Sequence, residues 1–358
     1  MNQKEKELFK CLCSFKDSFF DEGLLEAATP EILGFLFFNR MQAIAYGTLE
    51  KHGLLGKVNR EFRNSLKAAY EQNREKNKSF LLCVKHLEEL LPRCNCPYAM
   101  LKGAYLCKKY PEGYRTSNDI DLLVHPENIT EIGKLLTEAG FKQGNIRSGK
   151  FVPAIRKEII ESKMMRGETV PYIKEVDLPG MKYIEVDINF SLDYKPGDSD
   201  LLEEMLRNTV VEEKEDFCVT TLSRADFFVH LCAHLYKEAT TLPWIEMMRD
   251  MTLYKYCDIY MLLNDATTEG VNYLFDRAKT LGMEKACAFA ILQTSELFNF
   301  SNSYAVSVAE EVLKDDPDFI HRVISPKAKR NFIFTERNVS ERFFAVDRKM
   351  LLKEEATK

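Results

Sequence analysis

The segment Asn118-Asp119-Ile120-Asp121-Leu122-Leu123-Val124 places two carboxylates at the start of an apolar run. Its branched residues predict a strand, in which side chains alternate between the two faces, so Asp119 and Asp121 should project from the same face. Because two carboxylates this close repel each other unless a cation lies between them, they suggest a pair of metal ligands. Mg²⁺ prefers such oxygen donors and completes its shell with phosphate and water. The alternative is an exposed acidic turn that binds nothing.

A strand and a glycine-containing turn precede this segment. Tyr98-Ala99-Met100-Leu101 predicts a short buried strand, Lys102-Gly103-Ala104 predicts a turn, and a brief helix should follow to Tyr110. Glycine allows backbone amides to approach an anion closely, and a helix N-terminus carries partial positive charge. The loop 111–118 then leads into the aspartate pair. We expect a phosphate-binding surface made of six residues: Lys102, Gly103, Ala104, Arg115, Ser117 and Asn118.

Four of these six residues have roles that depend on their side chains. Lys102 offers phosphate a point charge, whereas the Arg115 guanidinium can bind it through two hydrogen bonds. A salt bridge from Arg115 to Asp119, which would close the loop, is an equal alternative. Ser117 and Asn118 either donate to phosphate or form the turn, and the turn is the favoured role.

A third carboxylate, Asp187, lies in the predicted strand Tyr183-Ile184-Glu185-Val186-Asp187-Ile188-Asn189. Alternation puts its apolar residues on one face and leaves Glu185, Asp187 and Asn189 on the other. Polar residues within a core strand need a partner, and a metal would supply one. If this strand pairs beside Ile120 to Val124, Asp187 completes the carboxylate cluster and Glu185 points toward the edge of the cleft.

The whole chain predicts three consecutive regions. Apolar residues at helical spacing up to about residue 91 predict an N-terminal helical region over 1–94. Predicted strands, including 169–176 and 182–192, alternate with helices in an α/β core over 95–220. A C-terminal helical region over 221–358 begins where Ser223 and Asp226 predict a helix cap. We expect the charged tail after Lys349 to be frayed.

The order and spacing of these motifs resemble a known family. Leu101-Lys102-Gly103-Ala104, Arg115 and Asp119-Ile120-Asp121-Leu122-Leu123-Val124 are similar to the uncharacterised nucleotidyltransferase family of the DNA polymerase beta-like superfamily, over about residues 30–265. The resemblance implies an α+β fold, with a mixed-sheet core flanked by helical regions. It also implies that Asp119, Asp121 and Asp187 hold Mg²⁺ or Mn²⁺ around a nucleoside triphosphate such as ATP. The implied reaction transfers a nucleoside monophosphate to an acceptor hydroxyl or phosphate and releases pyrophosphate.

Two residues depart from the pattern of this superfamily. Ala104 stands where serine is common, and Asn189 stands where relatives often have histidine. These departures favour an alternative in which the chain is a catalytically silent module that binds a nucleotide or a partner. A second alternative is a toxin-like or kinase-like transferase that acts on a macromolecule. The sequence leaves open whether the acceptor is a small molecule, a sugar or a protein.

Charge and hydropathy limit the other classes of partner. The net charge of -5 argues against broad binding to nucleic acid, which needs clustered positive charge. Charged residues interrupt the N-terminal segment, and no apolar run reaches the roughly 18 residues that cross a bilayer. We therefore expect a cytoplasmic protein that does not bind membranes.

Three side-chain patterns outside this cluster were weighed for binding. The CxC pairs Cys11/Cys13 and Cys94/Cys96 lack a second ligand pair at zinc-site spacing, so we expect no structural zinc. The pair His230/His234 shares a helix face, but packing or lining of a nucleotide cleft is the favoured role. The C-terminal basic residues interleave with aromatic residues, which we expect to dock a terminal helix rather than bind nucleic acid. These residues are Lys327, Lys329, Arg330, Phe332, Phe334, Arg337, Arg342, Phe343, Phe344, Arg348 and Lys349.

Overall fold

The computed structural model describes residues 1–192, 199–214, 217–325 and 330–355. Lys327 and Lys329 of the basic C-terminal stretch lie outside these ranges. The α-helices are α1 (Gln3–Cys13), α2 (Pro30–Phe38), α3 (Gln42–Lys51), α4 (Arg60–Leu90), α5 (Gly103–Leu106), α6 (Ile129–Glu138), α7 (Arg156–Met165), α8 (Ser199–Arg207), α9 (Arg224–Ala239), α10 (Leu242–Glu246), α11 (Leu253–Leu263), α12 (Thr268–Thr280), α13 (Glu284–Leu297), α14 (Ser303–Val312) and α15 (Val339–Phe344). The strands are β1 (Tyr98–Met100), β2 (Asp119–Val124), β3 (Lys142–Arg147), β4 (Lys150–Pro153), β5 (Tyr172–Leu178), β6 (Met181–Asn189), β7 (Thr209–Lys214), β8 (Phe217–Leu222), β9 (Arg322–Ser325), β10 (Arg330–Phe334) and β11 (Leu352–Glu354). Short 3-10 helices lie at Glu22–Ala27, Leu91–Arg93, Pro126–Asn128, Pro317–His321 and Arg348–Leu351.

The largest sheet is mixed and has six strands, in the order β1-β2-β6-β5-β3-β4. Its one parallel pair among the described residues is β2 with β6, and the other neighbours are antiparallel. In the sequence, helices precede and follow the segment that contains this sheet. The predicted α+β class with a mixed-sheet core is therefore confirmed.

The strands of this core form where their apolar residues are buried. Every residue of β1 is buried, as are all residues of β2 after Asp119. The apolar face of α6 is also buried, and α6 ends before Gly140, whose φ of 92° suits glycine. Gly133 of α6 permits a close approach, since a Cβ there would lie 2.3 Å from the Tyr172 hydroxyl of β5.

The chain divides into two compact units, Glu71–His230 in one and Met1–Tyr70 with Leu231–Lys358 in the other. The first unit, which we call the sheet unit, contains the whole of the predicted core 95–220. The second, the helical unit, combines residues from both ends of the chain. The division into 1–94, 95–220 and 221–358 remains a prediction.

The C-terminal part of the helical unit contains a small sheet that we did not expect, in the order β11-β10-β9. The frayed tail was a wrong prediction, because β11 pairs with β10. The expected docking of aromatic residues is confirmed for α15, where Phe343 and Phe344 lie 5.8 and 5.7 Å from the ring of Phe9. In the described parts of the chain, no helix combines the length and the apolar character needed to span a membrane.

Candidate functional site

The parallel pairing of β2 with β6 places the three predicted carboxylates side by side. Asp121 lies opposite Asp187 in the register, and Asp119 lies opposite Glu185. Register partners on neighbouring strands project from the same face of a sheet, and residues two apart on one strand share that face. Asp119, Asp121 and Asp187 therefore share one face, as predicted for a strand that pairs beside β2. Their roles as ligands remain a prediction.

Lys102 makes a close ion pair with this cluster. Its Nζ donates to Asp121 Oδ1 at 2.7 Å, and the two side chains are 19% and 7% exposed. Lys102 has a φ of 45°, a left-handed conformation that costs a non-glycine residue roughly 1–3 kcal/mol. The backbone amide of Leu101 donates to the Asp121 carbonyl at 2.9 Å, so this turn is fixed against β2.

Gly103 follows Lys102 and is needed for steric reasons. A Cβ at this position would lie 2.5 Å from the Ser117 Cβ and 2.7 Å from its Oγ. The Ser117 hydroxyl in turn donates to Asp119 Oδ1 at 2.9 Å. Gly103 thus leaves room for Ser117 to reach Asp119. This role differs from the expected one, in which the glycine lets a phosphate approach the backbone amides.

The helix after this turn is shorter than expected. It was predicted to continue to Tyr110, but α5 has four residues and all of them are buried, including Ala104. A single turn aligns few peptide dipoles, so the expected attraction of phosphate to this helix N-terminus loses most of its physical basis.

Side chains of α4 hold the loop that contains Arg115 and Asn118. Lys76 Nζ donates to Asn118 Oδ1, and Asn77 Nδ2 donates to the Arg115 carbonyl at 2.7 Å. Arg115 is buried, and its Nη1 donates to the Thr116 carbonyl. These contacts fix the loop by its backbone and by the Asn118 amide, and the turn-forming role of Asn118 remains a prediction.

The three aspartates differ in their electrostatic surroundings. Burial raises the pKa of Asp119, but the charge of Lys102, the Ser117 hydrogen bond and the charge of Arg115 outweigh it, so this pKa lies below its usual value. Burial and the charge of Asp119 raise the pKa of Asp121, against the opposing effect of Lys102. Burial, followed by the charges of Asp121 and Asp119, raises the pKa of Asp187 well above its usual value. The cluster therefore holds a proton more readily at Asp187 than at Asp119.

Asn189 also contacts the cluster. Its Nδ2 lies 3.3 Å from Asp121 Oδ1 and 3.2 Å from the Asp187 carbonyl. An amide donates hydrogen bonds but cannot take up a proton at neutral pH, so it supports Asp121 without titrating. This is the chemical consequence of asparagine at a position where we noted that relatives often have histidine.

Three further charged residues surround the site and were missed as site residues by the sequence analysis. Burial and the charge of Asp119 raise the pKa of Glu185, whereas Lys76 opposes this rise. Glu168 forms an isolated bridge with Asn189 and raises the pKa of Asp187 further. The polar face of its strand placed Glu185 with Asp187, toward the edge of the cleft, without marking it as a site residue. Lys76 and Glu168 lie elsewhere in the sequence, where the neighbouring residues form no pattern that indicates a functional site.

Carboxylates alone give the cluster an oxygen donor set, which fits Mg²⁺ or Mn²⁺ rather than a thiophilic metal. The carboxylate oxygens of this cluster lie farther apart than the ligands of one bound metal ion would. Among the described residues, the group of three whose ligand atoms all lie within 4.8 Å of one another is Cys94, Cys96 and Glu131. The Lys102 ammonium supplies positive charge to the aspartates in this arrangement.

The histidine pair on α9 forms no such group in the described part of the chain. His230 is buried, as expected for a packing role, and His234 Nε2 lies 3.4 Å from Glu238 Oε1.

Comparisons with known proteins show the family of this chain. The model of a family described as uncharacterised nucleotidyltransferase matches residues 26–299. A search of curated proteins finds no match. Among solved structures, the chain is similar to an antigenic nucleotidyltransferase-like protein from Paracoccidioides brasiliensis, with 14% identity, a TM-score of 0.31 and coverage of 60% of this chain and 92% of that one. The family match spans well over half of the chain, and this protein therefore belongs to the uncharacterised nucleotidyltransferase family.

Proposed function

We propose that this protein is a metal-dependent nucleotidyltransferase. It transfers a nucleoside monophosphate from a nucleoside triphosphate to a hydroxyl or phosphate acceptor and releases pyrophosphate. The observation that carries the proposal is the parallel register that sets Asp121 against Asp187, with Asp119 on the same face and Lys102 bonded to Asp121.

Asp119, Asp121 and Asp187 would hold Mg²⁺ or Mn²⁺. The bound cation would supply charge neutralisation for the triphosphate and for the attacking oxygen. Proximity supports this assignment, because Asp121 is buried and Asp119 and Asp187 are half-buried on the same face, so their negative charges repel one another.

The residues themselves would perform the proton transfer and the positioning. With a hydroxyl acceptor, the acceptor oxygen bonds to the α-phosphorus, and the bond from that phosphorus to the departing pyrophosphate oxygen breaks. Asp187, in its ionised form next to the bound cation, would accept the hydroxyl proton. The Lys102 ammonium is a point charge, and it can give up its contact with Asp121 to bind a phosphate oxygen instead.

A second candidate is a nucleotide-binding module without catalysis. Ala104 supports it, because this fully buried position has no hydroxyl where relatives often have serine. A module of this kind binds a triphosphate in the presence of Mg²⁺ but releases no pyrophosphate with any acceptor. A transferase acting on a macromolecule, such as a toxin-like enzyme, would instead label a protein or nucleic acid in a mixture.

Binding is tested first with the four nucleoside triphosphates and Mg²⁺, by calorimetry on the full chain. We expect Asp119→Asn and Asp121→Asn to abolish Mg²⁺-dependent binding. Asp177→Asn is the matched control, since Asp177 is exposed on β5 of the same sheet. Wild-type affinity in both site variants would refute the metal assignment.

Chemistry is tested next by measuring pyrophosphate release with candidate acceptors. Asp187→Asn should retain most of the triphosphate affinity but lower turnover by about a hundredfold or more, because a positioned base is lost. Undiminished turnover in this variant would show that Asp187 is not the base.

A further inference from the structure

The segment Cys94-Asn95-Cys96-Pro97 forms a second cluster of possible metal ligands, away from the aspartates. The two Sγ atoms lie 2.6 Å apart, and both cysteines are free thiols. The Glu131 carboxylate completes a group in which all three ligand atoms lie within 4.8 Å of one another. We propose that Cys94, Cys96 and Glu131 bind a thiophilic divalent cation of the Zn²⁺ type.

Backbone conformation explains why this CxC pair converges. Cys94 has φ -89° and ψ 120°, which directs the side chains two residues apart to the same side, and bends of the chain at Cys94 and Cys96 bring them together. Cys96 precedes Pro97, which favours extended geometry for it as well. The other CxC pair, Cys11 and Cys13, lies within α1, where residues two apart do not face each other.

The third ligand comes from a different part of the sequence. Glu131 lies in the first turn of α6, thirty-five residues after Cys96, so no short motif connects it to the thiols. Its carboxylate is exposed, whereas Cys94 is buried. The group therefore opens to solvent on the side of Glu131, where a water molecule could complete a tetrahedral shell.

The donor set selects the class of cation. Two thiolates with one carboxylate favour Zn²⁺ over Mg²⁺, which binds oxygen ligands. Two sulfurs bound to one tetrahedral Zn²⁺ at about 2.3 Å lie roughly 3.8 Å apart, so binding requires the Sγ atoms to separate by about 1 Å. Rotation about the Cα–Cβ bonds is enough for a change of this size.

This site is distinct from the aspartate cluster. Tyr98, next to Pro97, pairs with Val124 at the end of β2, whereas Asp119 begins that strand. Five residues of strand separate the two ends by about 16 Å. A cation at the thiol site would fasten the start of β1 to the start of α6, and it would stabilise the fold without taking part in group transfer.

The test uses the full chain after reduction and removal of metals by a chelator. Zn²⁺ is added in the presence of excess Mg²⁺, which occupies the oxygen ligands. We expect one Zn²⁺ per chain to survive dialysis and to raise the melting temperature. Co²⁺, used as a spectroscopic substitute, should show a thiolate charge-transfer band.

Two variants and a control decide the assignment. Cys94→Ser with Cys96→Ser should lose the Zn²⁺ and the charge-transfer band. Because a buried substitution can also impair folding, Glu131→Gln on the surface is the second variant, and it should keep the band but weaken affinity about tenfold or more. Cys218→Ser, which removes an exposed thiol of the same unit, should change nothing.

Three outcomes would overturn the proposal. The first is retention of Zn²⁺ by the double serine variant, and the second is failure of the reduced wild-type chain to bind Zn²⁺. The third is a disulfide between Cys94 and Cys96 that persists under reductant, seen as a mass lower by two hydrogens. None of these results bears on triphosphate binding by the aspartates, so the two proposals fail separately.

Discussion

Replacing Gly103 by alanine tests how the turn beside the aspartates is built. In a helix, alanine is normally favoured over glycine by about 1 kcal/mol, so an open site would gain stability from this change. Here the new Cβ would lie 2.5 Å from the Ser117 Cβ, well inside the roughly 3.5–4.0 Å at which carbon atoms attract. Ser117 or the turn must move by about 1 Å, and overpacking of this kind costs roughly 1–3 kcal/mol.

The matched experiment places Gly103→Ala in two backgrounds. In the wild-type chain we expect a loss in the free energy of unfolding of about 1–3 kcal/mol and weaker triphosphate binding, because Ser117 also bonds Asp119. In a Ser117→Gly chain the clash is gone, since Phe80 at 3.5 Å remains an ordinary contact. The cost of Gly103→Ala should then fall by at least about 1 kcal/mol.

Urea denaturation of the four chains measures this coupling, and calorimetry with a nucleoside triphosphate measures binding. Equal costs in the two backgrounds would refute the steric explanation. A loss of binding without coupling would favour the expectation from sequence, in which glycine serves the approach of phosphate.

Two further predictions concern charged groups. Burial and neighbouring carboxylates raise the pKa of Asp187. Above about pH 4, the folded chain therefore holds a proton on Asp187 that the unfolded chain has lost. Without metal, the free energy of unfolding should then fall as the pH rises above about 4. Asp187→Asn should reduce this dependence in urea denaturation between pH 4 and pH 8, and unchanged dependence would contradict the assigned pKa shift. In the helical unit, Arg348 Nη2 donates to Asp250 at 2.7 Å, and both side chains are buried. Arg348→Met would leave the Asp250 charge buried without its partner, so it should lower the free energy of unfolding by about 3–5 kcal/mol. The neighbouring exposed Lys349→Met should cost less than about 1 kcal/mol, and similar losses in both variants would show that the buried pair has no special role.

The parts of the fold that the sequence predicted are those with strong local patterns. Continuous apolar residues identified β1 and β2, and the strands expected over 169–176 and 182–192 correspond to β5 and β6. The polar face of β6 also indicated where Asp187 would lie. These features depend on alternation and turn chemistry, which neighbouring residues determine.

The features that the sequence did not predict depend on distant residues. The strands β3 and β4 consist largely of polar or partly exposed residues, so no apolar alternation distinguishes them from a loop. Lys76 reaches the site from α4, and Glu131 reaches two cysteines from α6. Glycine at position 103 was expected to let backbone amides approach a phosphate, whereas its function in packing depends on Ser117.

The parallel pairing of β2 with β6 has a consequence for the order in which the chain folds. The β5–β6 hairpin joins residues close in sequence and can form within microseconds, but more than sixty residues separate Asp121 from Asp187. Closing such a long connection costs entropy before the pairing stabilises it, and contacts of this kind form slowly. We expect β6 to pair with β5 first and with β2 later, so the three carboxylates meet only near the end of folding. Their repulsion then does not oppose the early steps, and the chain can complete most of its sheet before these three charges come together.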